Sequence, residues 1–147
     1  MDYKLAEKKI KDIILKNSNI LDDVVDFLHQ NFNHYNWVGI YLVKGNDLVL
    51  GPWKGGQATE HTRIPIGKGI CGSAAISCKT EIVPDVNADK RYLSCFISTK
   101  SEIVVPIKKD KKVLGEIDID SDKKDAFSKK DRVFLEKIAD MLAKHIC

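Results

Sequence analysis

The chain has 147 residues, of which 44% are hydrophobic and 31% charged. That excludes a disordered chain, and the length fits one domain, residues 1–147, with a core of its own. Lysines and arginines number 24 against 21 aspartates and glutamates; a net charge of +3 this scattered, with no aromatics interleaved among the lysines, predicts no nucleic-acid partner.

Lys4 to Lys16 spaces Leu5, Ile10, Ile13 and Ile14 as a helix does. Asn19 can cap a second helix, with Leu21, Val24, Val25, Leu28 and Phe32 along one face. Asn36 to Val43 is rich in strand formers. It turns through Lys44-Gly45-Asn46-Asp47 into a return strand, Leu48 to Trp53, so a hairpin is predicted. A short strand near Thr62 to Pro65 follows. Gly67-Lys68-Gly69 then opens a short helix of small residues carrying Cys71 and Cys78.

Thr80 to Val83 reads as a strand. Pro84 to Lys100 has little apolar pattern, and so long a connection inside one domain predicts a functional loop or lid. Glu102 to Ile107 and Lys112 to Asp120 are two strands joined by a lysine-rich turn. Ser128 and Asp131 mark the start of a final helix with Phe134, Ile138, Met141 or Leu142, and His145 on its inner face. Hairpins on both sides of a short central helix predict an α+β fold, an antiparallel sheet flanked by helices. The outer two helices offer surfaces from which a homodimer bundle could form.

The longest apolar runs are a few residues, so no membrane-spanning helix and no membrane partner are predicted. The start of the chain, MDYKLAEKKIKD, is charged from its second residue, unlike a signal peptide. A reducing, cytoplasmic setting is expected for the four cysteines, Cys71, Cys78, Cys95 and Cys147.

Cys95 lies inside the long loop, either as a semi-buried anchor beside Leu93 and Phe96 or as a reactive thiol with Arg91 near it in sequence. Cys71 falls in the first turn of the small-residue helix. Free amides there favour a negative sulfur or a bound anion, although packing among Ala74 and Ala75 also accounts for it. Cys78 is seven residues on, about 10.5 Å along a helix, too far to bridge to Cys71.

Period-two alternation puts Glu116, Asp118 and Asp120 on one strand face, with Glu102 opening the strand before. A solvated face is one reading. A pocket that binds an ammonium group or supplies a proton is the other, and it explains two aspartates in a strand. Trp37 and Tyr41, four apart, share a strand face and suit a core or a pocket wall. A zinc site from His61, Cys71 and Cys95 has no supporting spacing, so neither a metal nor another cofactor is expected.

NWVGIY from Asn36, LVLGPW from Leu48, RIPIGKGICG from Arg63, VPDV from Val83, SEIVVPI from Ser101 and GEIDIDS from Gly115 form a set of segments that is specific when taken together. Together they resemble the free methionine-(R)-sulfoxide reductases, a family built on the GAF domain. The resemblance runs from Asn36 to the last helix and implies a GAF-like fold. It implies that Cys95 is the nucleophile, that Cys71 forms a disulfide with it, and that a thioredoxin-like dithiol recycles the pair. It matches Glu102, Asp118 and Asp120 to pocket carboxylates and Trp37 and Tyr41 to an aromatic wall. Amides near Ile70 to Gly72 would suit the carboxylate of free methionine sulfoxide. Many relatives carry a third redox cysteine where this chain has His61, which makes Cys71 the default resolving thiol. A non-catalytic GAF module that senses an amino acid is the alternative.

Overall fold

A computed structural model describes residues 1–93, 96 and 98–146. Its elements follow the predicted order: α1 (Tyr3–Lys16), α2 (Ile20–Asn31), β1 (Trp37–Lys44), β2 (Asp47–Lys54), β3 (Arg63–Pro65), α3 (Gly69–Ser77), β4 (Glu81–Val83), β5 (Ser101–Lys109), β6 (Lys112–Ser121) and α4 (Lys129–Ala143). The strands form one six-stranded sheet in the order β3-β2-β1-β6-β5-β4, antiparallel at every pairing. This is the α+β, GAF-like architecture. Among the described residues no helix is long and apolar enough to cross a membrane.

Alternation along the strands gives the sheet two faces with different chemistry. Val38, Ile40, Ile103, Val105, Ile107, Ile117 and Ile119 point to one side, where α1, α2 and α4 cover them. Ile10, Val24, Leu28, Leu135 and Ile138 are fully buried there, so this side holds most of the apolar stabilisation. The other face carries Trp37, Gly39 and Tyr41 from β1, Glu116, Asp118 and Asp120 from β6, and Glu102 and Val104 from β5. Helix α3 lies against it.

Several details differ from expectation. Ala6, not Leu5, faces the core from α1, and Leu5 is exposed; helical phase decided against the larger side chain. His145 lies beyond α4 and is exposed. Asn19 stands at the α2 N-cap without a side-chain hydrogen bond. Cys78 leaves the α3 face altogether: it ends that helix in a left-handed conformation, φ 57°, with its thiol 3.6 Å from the Lys111 carbonyl. The long loop is partly ordered, for Val86–Ala88 forms a 3-10 turn capped by Asp85, and the Val86 amide donates to the Lys100 carbonyl.

One glycine positions the site. A Cβ at Gly39 would fall 2.4 Å from the Trp37 ring, so the indole lies flat over Gly39. Gly39→Ala must displace that indole or bend β1. It should cost roughly 1–3 kcal/mol in urea unfolding, as overpacking does. An unchanged unfolding midpoint would show that the ring shifts freely.

Candidate active site

The register brings the acidic residues together. Asp120 pairs with Trp37 on one side and Glu102 on the other; Asp118 pairs with Gly39 and Val104; Glu116 pairs with Tyr41 and Pro106. None of these carboxyls is solvated. Glu116 is 0% exposed, Asp118 and Asp120 4% and Glu102 6%, so the solvated-face reading is overturned. The physical reason is α3 and the segment around Tyr92 and Leu93, which close over strands whose pattern alone would suit open water.

Burial dominates the electrostatics. It pushes the Glu116 carboxyl well above the carboxylate range, helped by the nearby Asp118 charge. Asp120 is raised for the same two reasons. Asp118 is raised by burial despite hydrogen bonding with Glu102 and Cys71. These groups therefore favour their neutral, proton-carrying forms. Period-two spacing sets Glu116 beside Asp118 and Asp120, but the resemblance matches only Glu102, Asp118 and Asp120 to pocket carboxylates; its burial beside Cys71 adds Glu116 to the site.

Cys71 faces this cluster from the third position of α3. It is 5% exposed and a free thiol. Burial first, then the charges of Asp118, Glu102, Glu116 and Asp120, push its pKa well up. Helix α3 starts after Lys68, whose carbonyl accepts from the Gly72 amide at 2.9 Å. Gly72 is therefore unavailable as an anion donor, a correction to the amide set expected from the sequence. The amides of Ile70 and Cys71 precede that first helical bond and have no partner within the helix. Gly72 serves close packing instead, since a Cβ there would lie 2.8 Å from the Gly67 nitrogen and 2.9 Å from the Pro65 oxygen.

Trp37 stacks on Trp53, centroids 6.1 Å apart and 13° from parallel, and meets Phe96 at 6.0 Å. Its Nε1 is buried with no acceptor among the described residues. The Tyr41 hydroxyl donates to the His61 carbonyl at 2.7 Å, which ties β1 to the segment before β3. A cavity of about 250 Å³ opens between Trp37, Phe96 and Asp120. A second, of only about 20 Å³, lies between Cys71, Glu102, Asp118 and His61, beneath Tyr92 and Leu93. Roomier hollows beside Arg132 and Glu136, and between α1 and α4, bring no acids, thiol and indole together.

Cys95, like Cys147, lies outside the described residues. Arg91, its neighbour in sequence, already has partners: Nη2 is 2.8 Å from Asp89 Oδ2 and Nη1 3.3 Å from Glu81 Oε1. Arg91 is thus ion-paired, and its relation to the Cys95 thiol lies outside the described residues.

An antiparallel sheet with α1, α2 and α4 on one face and α3 over buried acids on the other is the architecture of a GAF domain, and the GAF domain family model matches residues 17–146. The chain is 33% identical to the free methionine-R-sulfoxide reductase of Escherichia coli over 80% of its own length and 70% of that protein's. It superposes on the structure of the Neisseria meningitidis free methionine-R-sulfoxide reductase in complex with its substrate with a TM-score of 0.90, at 33% identity, covering 97% of this chain and 86% of that one. For the reduced form of fRMsr from Staphylococcus aureus the TM-score is 0.91 at 39% identity, covering 99% and 96%. The chain belongs to the free methionine-R-sulfoxide reductase family of GAF-domain oxidoreductases.

Proposed function

We propose that this protein reduces free L-methionine-(R)-sulfoxide to methionine by thiol chemistry in the cytoplasm. The observation that carries the reading is the burial of Glu102, Glu116, Asp118 and Asp120 on one sheet face, against Cys71 and Trp37. Buried carboxylates are costly unless they receive a cation or hold protons, and a free amino-acid sulfoxide supplies an ammonium to the first kind of carboxyl and takes a proton from the second.

The Cys95 thiolate attacks the sulfoxide sulfur. A neutral carboxyl among Glu102, Asp118 and Asp120 protonates the sulfoxide oxygen, which ends on Cys95 as the sulfenic acid while methionine departs. The Cys71 sulfur then attacks Cys95. A disulfide forms and water leaves, carrying the sulfenic oxygen. A thioredoxin-like dithiol returns both cysteines to thiols by exchange.

The remaining carboxylates hold the substrate ammonium. The amides of Ile70 and Cys71 and the unpaired Trp37 N–H suit its carboxylate, and Trp37 and Tyr41 wall the methylthio end. A slot of about 20 Å³ holds little more than a water, so Tyr92 and Leu93 must move aside for the substrate.

A stereochemically resolved assay tests this. The purified protein, a dithiol reductant and one of three compounds are mixed: the free R epimer, the free S epimer, or a doubly blocked peptide-like sulfoxide. Methionine should form from the free R epimer alone. Saturable binding of an amino acid without turnover would make the chain a GAF sensing module.

A further inference from the structure

We propose that the narrow slot between α3 and the sheet binds one thiophilic divalent cation of the zinc class. The site rests in part on the reading above, because it engages the thiol assigned there to disulfide formation. Cys71, Glu102 and Asp118 are scattered in sequence, and no ligand spacing announces them. The fold nonetheless brings the Cys71 Sγ and one oxygen each of Glu102 and Asp118 within 4.8 Å of one another. Three points so placed share a centre no more than about 2.8 Å from each. Zinc takes sulfur at about 2.3 Å and carboxylate oxygen at about 2.0–2.2 Å, so side-chain shifts under an ångström complete the coordination.

Two further observations point to a cation. The slot these atoms line is narrow, about 20 Å³, room for a single ion or water. Asp118 Oδ1 is buried there without a donor. Glu116 is fully buried, its carboxyl faces the Cys71 sulfur, and neither of its oxygens receives a hydrogen bond of ordinary geometry. Among the described residues no lysine or arginine forms an ion pair with Glu116, Asp118 or Asp120. Buried oxygens without donors, set around a sulfur, are what a metal ion satisfies. The mixed donor set selects the ion, because magnesium and calcium take oxygen ligands while zinc accepts sulfur and oxygen together.

Binding exchanges protons for metal. The Cys71 S–H bond and the O–H bond of any protonated ligand carboxyl break, sulfur–metal and oxygen–metal bonds form, and the released protons pass to solvent. No electron moves. A loaded protein has no free resolving thiol, and Glu102 and Asp118 are withdrawn from the substrate, so the ion is a reversible brake that a chelator lifts.

The test reads binding rather than turnover, so it stands whether or not the chain reduces sulfoxides. The full chain carrying Cys95→Ser is reduced with a phosphine and titrated with Co²⁺. One equivalent should bind with a thiolate-to-cobalt charge-transfer band, and Zn²⁺ should abolish that band. Adding Cys71→Ser should remove the band. Asp118→Asn and Glu102→Gln, each checked for fold by circular dichroism, should weaken binding at least tenfold. No band in the parent, a band that survives Cys71→Ser, or unchanged affinity in both carboxyl variants would overturn the site.

Discussion

With thioredoxin as reductant, Cys71→Ser should release about one equivalent of methionine per chain and then stall, its steady-state rate down by roughly a hundredfold or more. The first oxygen transfer needs only Cys95 and an acid. The sulfenic acid it leaves then has no captor, because the thiol that faces the acid cluster is gone. Serine keeps the shape of a side chain packed at 5% exposure, so the fold should survive. Cys95→Ser should show no burst at all, and that contrast separates the two roles. The pH dependence has a definite sign. Burial and four carboxyls raise the Cys71 pKa, so its thiolate fraction is small at neutral pH and grows as pH rises. In the parent, disulfide formation after a single turnover should accelerate with pH and still be climbing above about pH 8.5, where an ordinary thiol is half ionised. An undiminished steady state in Cys71→Ser would pass the resolving role to another thiol or to the reductant itself.

The order of elements was legible because each is short and patterned: a 3.6-residue period in α2, two hairpins with turn residues between them, and a capping box at Ser128. Period two also placed Glu116, Asp118 and Asp120 on one face. It could not place that face inside the protein, since α3 and the segment at Tyr92 and Leu93 bury it and both are distant in sequence. The same gap explains Gly72, whose amide is committed only because the helix begins at Lys68, and Arg91, whose partner Glu81 lies ten residues upstream. Glu116 gained its meaning from register, which set it beside Tyr41 and below Cys71. The seat for Trp37 over Gly39 follows from packing that no propensity encodes.

Asp131→Asn should destabilise the protein by about 3–5 kcal/mol near neutral pH, the usual cost of breaking a buried charged network. Asp131 is 1% exposed at the start of α4 and gathers three segments. Its Oδ1 accepts from the Tyr3 hydroxyl of α1 at 2.9 Å and from the Tyr35 hydroxyl at 2.6 Å, with His34 Nε2 at 2.9 Å. Its Oδ2 accepts from the Ser128 amide at 2.8 Å. An amide side chain must turn an N–H toward one of these donor groups. Burial works against the Asp131 charge, but hydrogen bonds from His34, Tyr35 and the Ser128 amide outweigh it and hold the carboxyl below its usual range. A depressed folded pKa means the stabilisation is fully present above the unfolded value, about 3.9, and is lost as pH falls through the folded one. Urea midpoints of parent and variant should therefore differ most between about pH 5 and 8 and converge toward pH 3 and below. A gap that stays constant into acid would mean that shape, not charge, is what the variant loses. The network sits on the helix-covered side of the sheet, away from Cys71 and the acid face. At temperatures where the variant stays folded, its kcat/KM should remain within about twofold of the parent, because residues without shared partners act almost independently.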